Sequence, residues 1–160
     1  MNPSIVVLAA ALVGASIVTV PAAAQPVYTG EGHIMVSPAQ LAWTDAPAVA
    51  PGAKIAVIEG PLNKAVPFTF RLLLPAGVKI APHVHPAFER VTVLSGTFHF
   101  AHGDTFDASK AQPLAQGSVA VMPPGAPMFG YTKEETVIQL HGVGPWGITY
   151  LNPADDPRKK

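Results

Sequence analysis

Hydrophobic and polar residues alternate with a two-residue repeat along most of the chain after residue 53. The repeat occurs in short runs rich in β-branched and aromatic residues, separated by Gly and Pro, at 54–59, 66–74, 88–94, 97–101, 118–122, 128–131, 136–141 and 146–151. Such alternation is typical of β-strands, because successive side chains point to opposite faces. Closely spaced strands without intervening helices indicate a sandwich or a barrel. We therefore predict an all-β domain.

Two segments depart from this repeat. Ser37 precedes Pro38, which combines a capping residue with a proline at the first helical position, so a helix of one or two turns is predicted there. Residues 104–116 lack alternation and are predicted to form a loop, with one helical turn possible at 107–110.

The first 24 residues have the pattern of an export signal. Residues 5–20 are almost continuously apolar, no charged side chain is present, and Ala22, Ala23 and Ala24 precede Gln25. Small residues in these positions predict cleavage after Ala24. The apolar run is shorter than the roughly 20 residues that span a bilayer, and a retained membrane anchor is the second interpretation.

This pattern divides the chain into four parts. We expect a signal peptide at 1–24, an N-terminal arm with the short helix at 25–53, a β-barrel at 54–151 and a solvated tail at 152–160. The mature protein is then periplasmic or secreted, with no membrane association after cleavage.

Composition narrows the possible functions. Ten Lys and Arg balance ten Asp and Glu, so no net charge attracts nucleic acid. The sequence has no Cys, which excludes disulfides, thiolate zinc sites and cysteine nucleophiles, and leaves six His and four Met as ligands for soft metals. Small-molecule binding and catalysis remain.

The candidate chemistry is concentrated around two histidines. His83 and His85 are two residues apart and Glu89 has the same parity, so in an extended chain all three project from one face. Two imidazoles and one carboxylate form a ligand set that leaves positions open on an octahedral divalent metal ion. Pro82 and Pro86 restrict the backbone on either side. The alternative is that these are ordinary core or surface histidines.

The spacing Gly77-x5-His83-x-His85-x3-Glu89-x6-Gly96 resembles the first motif of the cupin superfamily at every fixed position. The tract from Glu89 to Gly144-Pro-Trp-Gly147 is similar to single-domain bacterial conserved-barrel cupins. The resemblance implies a double-stranded β-helix, or jelly-roll barrel, from about residue 54 to residue 150. It also implies a divalent transition metal held by His83, His85 and Glu89, with iron expected first and copper, manganese, nickel or zinc as alternatives.

The second cupin motif is matched only in part. Gly117, Pro123 and Gly125 occupy their expected positions, but Met128 stands where the fourth ligand is expected and Thr132 where Asn is expected. A thioether is a weak, soft ligand. Met128 is therefore an apolar wall beside a three-ligand site, a ligand of copper, or the mark of a degenerate site that rarely holds metal.

Gln139 and His141 share one face of the strand predicted at 136–141. If Ile138 and Leu140 pack outward, this polar face lines the barrel, and both residues become candidate catalytic groups that bind substrate or transfer a proton. His141 is alternatively the missing metal ligand or a structural histidine.

Two functions are compatible with these observations. The first is an exported, metal-dependent enzyme that oxidises a small molecule, of the dioxygenase type suggested by the resemblance. The second is a non-catalytic cupin that binds a metal or small ligand at a degenerate site. The expected partners are a small-molecule ligand and a second copy of the chain, joined through sheet edges or the N-terminal arm.

Overall fold

The computed structural model describes residues 26–159, and the predicted signal peptide lies outside this range. Eleven strands occur in the described part of the chain: β1 (Thr44–Asp45), β2 (Lys54–Glu59), β3 (Pro67–Leu74), β4 (Lys79–Val84), β5 (Glu89–Ser95), β6 (Thr97–His102), β7 (Gln112–Ala115), β8 (Val119–Met122), β9 (Met128–Thr132), β10 (Thr136–Val143) and β11 (Thr149–Tyr150).

The strands form two antiparallel sheets that pack face to face. The six-stranded sheet has the order β1-β2-β3-β10-β5-β8, and the five-stranded sheet has the order β11-β4-β9-β6-β7. Many neighbours in each sheet are far apart in sequence, as β3 and β10 are, so the chain passes repeatedly between the two layers. This arrangement confirms the all-β prediction and fits a jelly-roll barrel.

The core lies between the inward faces of the sheets. Strand β3 has the clearest alternation, with Phe68, Phe70, Leu72 and Leu74 buried and the residues between them partly exposed. The strand therefore buries four large apolar side chains at about 1.5–3 kcal/mol each. Burial along β3 thus alternates with the two-residue repeat predicted from the sequence.

Strand β4 contains an irregularity that matters for the site. Its pairing with β9 shifts register between Ile80 and His83. Residues three apart in a regular strand face opposite sides, yet Ile80 and His83 both line the interior. The bulge turns the end of the strand so that its histidine points inward.

Four local details differ from, or refine, the sequence predictions. The predicted loop 104–116 contains the edge strand β7 and a turn of 3₁₀ helix at Ala108–Lys110, whose Ser109 N–H donates to the Asp107 carboxylate at 3.0 Å. The N-terminal helix is a single 3₁₀ turn, Pro38–Gln40, in which the Ser37 N–H donates to Gln40 Oε1 at 2.9 Å.

Strand β4 was not among the predicted runs, since Pro82 and His83 interrupt its apolar pattern. The predicted strand at 146–151 shortens to β11. No helix within residues 26–159 has the length and apolar character needed to cross a membrane.

Candidate metal and ligand cavity

A narrow cavity lies between the two sheets near the turn that joins β4 to β5. About 30 Å³ of it is open to water molecules, which is room for about two. Its wall is mostly apolar and includes Leu72, Ile80, Val91, Phe98, Ile138 and Leu140. Four residues with polar groups also line it: His83, His85, Glu89 and Trp146. We refer to this space as the barrel cavity.

Both histidines of the predicted ligand set are buried, with 6% exposure for His83 and 3% for His85. The Nδ1 atom of His83 lies 2.7 Å from the carbonyl oxygen of Ala81, and that of His85 lies 2.6 Å from the carbonyl oxygen of Gly147. Because a carbonyl only accepts hydrogen bonds, each Nδ1 carries the proton. Each neutral ring therefore keeps the lone pair on Nε2, the atom free to bind a metal ion.

Glu89 begins β5 and is 4% exposed. Its Oε1 lies 3.5 Å from His85 Nε2, a distance too long for a good hydrogen bond but short enough for both atoms to share one small ligand. The rings of His83 and His85 meet edge to face with centroids 4.8 Å apart. The three residues predicted to act together are thus brought to one cavity.

Burial keeps all three groups uncharged in the metal-free protein. It raises the pKa of Glu89 from 4.5 to about 8, with the nearby indole N–H of Trp146 opposing part of the rise. It lowers the pKa of His83 from 6.5 to about 4, helped by the neighbouring His85 and opposed by the Ala81 carbonyl. Burial also lowers the pKa of His85, against the effect of the Gly147 carbonyl. A positive ion entering the cavity would lower the pKa of Glu89 and favour its ionised carboxylate.

The types of donor atom and their hydrogen bonds fit a metal centre, but the distances between the side chains do not. Histidines that donate through Nδ1 to backbone carbonyls are the arrangement found around bound metals. As the side chains stand, however, residues 26–159 contain no group of three or more His, Cys, Asp or Glu close enough to hold an ion.

Met128 lies at the start of β9, directly opposite His83 in the β4–β9 pairing, and is 1% exposed. It lines the barrel cavity, as the partial second motif led us to expect. The apolar Ile138 and Leu140 also line this cavity. The position faces the cavity, and whether the thioether binds a metal remains a prediction.

Gln139 and His141 do not reach the cavity, and the predicted orientation of β10 is corrected by the structure. Ile138 and Leu140 line the interior, so the polar residues of the strand face the other side of the sheet. There Gln139 Oε1 accepts a hydrogen bond from Arg71 Nε at 3.1 Å. The reason is packing: β10 lies between β3 and β5, and its apolar face joins their apolar faces.

The other strand histidines are also outside the cavity. His99 stacks on Tyr131 with centroids 4.4 Å apart and planes 7° apart, and His102 is exposed at the end of β6. Neither ring lines the barrel cavity.

Trp146 is the cavity residue that the sequence analysis missed. Its ring stacks on His85, with centroids 5.1 Å apart and planes 21° apart, and meets the edge of Phe70 at 4.7 Å. Its Nε1 is buried and has no hydrogen-bond partner among residues 26–159. The signal available in the sequence was the Gly144-Pro-Trp-Gly147 tract, which the sequence analysis used only for the family resemblance.

Comparison with known proteins places this geometry in a fold class. No protein-family model matches the chain, and no curated protein sequence is significantly similar to it. Among solved structures, the polyketide cyclase RemF from Streptomyces resistomycificus aligns with a TM-score of 0.64 and 13% identity, over 80% of this chain and 92% of that chain.

Two further structures align in the same way. An acetylacetone dioxygenase from Acinetobacter johnsonii gives a TM-score of 0.60 and 13% identity, over 82% of this chain and 85% of that chain. An RmlC-like cupin from Shewanella frigidimarina gives a TM-score of 0.55 and 15% identity, over 70% of this chain and 91% of that chain. The chain has the cupin fold, which confirms the resemblance seen in its first motif.

Proposed function

We propose that this protein is an exported metal-binding cupin that catalyses the oxidation of a small molecule in the barrel cavity, as dioxygenases do. The observation that supports this best is the pair of buried histidines whose Nδ1 protons are held by the Ala81 and Gly147 carbonyls, with Glu89 beside His85. A divalent metal bound to them would act as a Lewis acid or redox centre with open positions for oxygen or a substrate oxygen.

The chain's own groups have distinct roles in this proposal. His83 and His85 are neutral at neutral pH and offer Nε2 without first losing a proton, because burial holds their pKa values low. Glu89 has to release its proton when the ion enters, since burial raises its pKa to about 8. The apolar wall excludes bulk water and strengthens the electrostatic attraction between the ion and the carboxylate.

Two structural neighbours are the reason for proposing an oxidative reaction. The acetylacetone dioxygenase from Acinetobacter johnsonii and a putative acetylacetone dioxygenase from Methylibium petroleiphilum share the fold with TM-scores of 0.60 and 0.61. The polyketide cyclase among the neighbours is a reminder that one fold supports several reactions. We therefore propose the reaction class and leave the substrate to experiment.

A second candidate function is a non-catalytic binding protein. The observation that favours it is the spacing of the ligand residues, which do not form a compact metal-binding group as they stand among the described residues. Met128 at the fourth ligand position also favours this function, because a thioether is only a weak metal donor.

Metal analysis separates the two candidates. The mature protein, purified without added metal, is expected to contain close to one equivalent of iron or another transition metal, and His83→Ala is expected to contain none. The matched control is His99→Ala, which removes a histidine on the outer side of the five-stranded sheet. Metal-free protein that remains folded, or metal that stays in His83→Ala, would contradict the proposed centre.

Activity is tested on the metal-loaded protein. Oxygen consumption with acetylacetone, the compound named for two structural neighbours, is the first assay. Consumption that disappears in His83→Ala but not in His99→Ala supports an oxidase or dioxygenase. A loaded protein that consumes no oxygen with acetylacetone or related diketones supports the binding protein.

Export is a proposal from the sequence alone. The uncharged apolar run at 5–20 and the small residues before Gln25 support it. Expression of the full chain should yield a periplasmic or secreted protein whose first residue, by mass and N-terminal sequencing, is Gln25. A protein that keeps residues 1–24 would contradict cleavage.

A further inference from the structure

The barrel cavity contains one polar hydrogen that no described residue accepts. Trp146 Nε1 is buried without a hydrogen-bond partner within residues 26–159. Leaving a buried donor unpaired is costly, so an acceptor is expected when the site is in use. The indole opposes part of the rise in the pKa of the Glu89 carboxyl, but the two groups do not meet the geometry of a hydrogen bond.

The indole is held firmly at this place. It stacks on His85 and meets the edge of Phe70. Its backbone N–H donates to the Leu62 carbonyl at 2.7 Å, and the next residue, Gly147, accepts from His85 at 2.6 Å. A rigid donor is a better determinant of ligand orientation than a mobile one, because less entropy is lost on binding.

The rest of the cavity restricts the chemical class of its ligand. Apart from the three proposed metal ligands, its lining residues have no charged side chain and no hydroxyl or amide side chain. A charged substituent on the ligand would therefore be buried without a side-chain partner, which is unfavourable.

The size of the cavity limits how much of a ligand enters it. Room for about two water molecules is enough for a carbonyl group. An adjoining groove lined by Val84, Pro86, Pro124, Gly147 and Thr149 shares His85 and Ile148 with the cavity. The described residues that line this groove include no Lys, Arg, Asp or Glu.

We infer that the barrel cavity binds a neutral, mainly apolar molecule through one carbonyl oxygen, which accepts a hydrogen bond from the Trp146 indole N–H while the apolar body lies in the adjoining groove. Trp146 is then a specificity-determining residue. The inference rests on the proposed function in that it concerns the ligand of the same cavity, but the hydrogen bond requires no metal.

The test uses metal-free protein labelled with ¹⁵N and three probes of matched shape. Cyclopentanone has the acceptor, methylenecyclopentane replaces its oxygen with a CH2 group, and cyclopentanecarboxylate adds a charge. The chain has two Trp residues, so Trp146→Phe and the matched control Trp43→Phe assign the two indole N–H signals.

Cyclopentanone is expected to move the Trp146 indole signal downfield and leave that of Trp43 unchanged. Methylenecyclopentane should cause no downfield shift, and the carboxylate should bind at least about tenfold more weakly than the ketone. Trp146→Phe should weaken cyclopentanone binding by about threefold to tenfold and leave methylenecyclopentane binding unchanged, which is the size expected for one lost hydrogen bond.

Three results would overturn the inference. They are equal ketone binding by wild type and Trp146→Phe, no binding of either neutral probe, or an indole signal that moves in Glu89→Gln and ignores the probes. The last result would assign Trp146 to positioning the carboxylate. Metal content measured on the same proteins tests the proposed function separately, because a protein that binds no metal can still show the ketone effect, and the reverse also holds.

Discussion

Two sets of residues that line the barrel cavity differ in chemistry although both come from antiparallel strands. His83, His85 and Glu89, near the β4–β5 turn, carry polar groups, whereas Met128, Ile138 and Leu140, on β9 and β10, are apolar. The two sets are neighbours within the sheets, since β9 pairs with β4 and β10 pairs with β5. Backbone carbonyls hold the two histidines, whereas packing holds the apolar side chains.

This difference shows that a histidine's position in a strand does not decide its role. His83 and His85 face inward because a bulge in β4 and the parity of the chain turn them there. His141 lies on a strand of the same barrel but faces outward, because burying Ile138 and Leu140 excludes a polar inner face. Apolar burial therefore selected the face, and the chemistry of the site followed from it.

The largest expected effect tests the orientation of β10 with two neighbouring residues. Leu140→Ala should lower the free energy of unfolding by about 2–5 kcal/mol, because it removes a buried side chain from the core. Gln139→Ala should cost less than about 1 kcal/mol, since it loses only the partly exposed hydrogen bond with Arg71. Urea denaturation of both variants measures the difference. Similar losses, or the reverse order, would restore the sequence prediction that Gln139 and His141 face inward.

The second prediction places a metal-binding side chain among the apolar residues of the cavity. Met128→His should raise metal affinity by about tenfold or more, because an imidazole replaces a weak thioether at a buried position opposite His83. Met128→Leu is the matched control and should keep the wild-type affinity if the side chain is only an apolar wall. Titration with iron(II) and copper(I) measures both. Unchanged affinity in Met128→His would mean that the position points away from the ion, and copper lost in Met128→Leu would identify the thioether as a ligand.

The third prediction concerns the polar residues of the cavity and the pH dependence of the protein's stability. In metal-free protein the pKa of Glu89 is raised to about 8, so the folded state holds a proton that the unfolded state has already lost above pH 4.5. Stability should therefore fall as the pH rises, by at most about 1.4 kcal/mol per pH unit. His83 has the opposite sign, but its contribution changes only between about pH 4 and 6.5.

The fall should thus be visible between pH 6.5 and 8 in protein treated with chelator, and it should be much smaller in Glu89→Gln, which has no carboxyl to titrate. Thermal or urea unfolding at several pH values measures it. The same slope in both proteins would show that the buried Glu89 does not control the effect.

Much of the fold was predictable because alternation reports burial directly. The predicted and observed bounds agree at residues 54–59, and β3, β5, β6, β8, β9 and β10 begin or end within two residues of the predicted runs. The two-residue strand β1 was missed, and β4 and β7 were missed for a common reason: prolines and polar residues interrupt them, so the local pattern resembles a loop. Pairing with β9 and β6 makes them strands.

The candidate site was predictable where it depends on residues close together in sequence. His83, His85 and Glu89 line one cavity because the turn between β4 and β5 is short, although the chain is not extended throughout this segment. Trp146 could not be found this way, because its place in the cavity depends on contacts with Phe70 and His85 from distant strands.

The sequence by itself determined the strand periodicity, the all-β class and the grouping of His83, His85 and Glu89, since each of these follows from spacing over a few residues. Tertiary structure alone decided which face of β10 is buried, which carbonyls fix the histidine tautomers and which donor is left without a partner. The physical reason is that burial and hydrogen bonding depend on neighbours that are distant along the chain. A pattern within one strand defines its two faces but does not say which of them the core will cover.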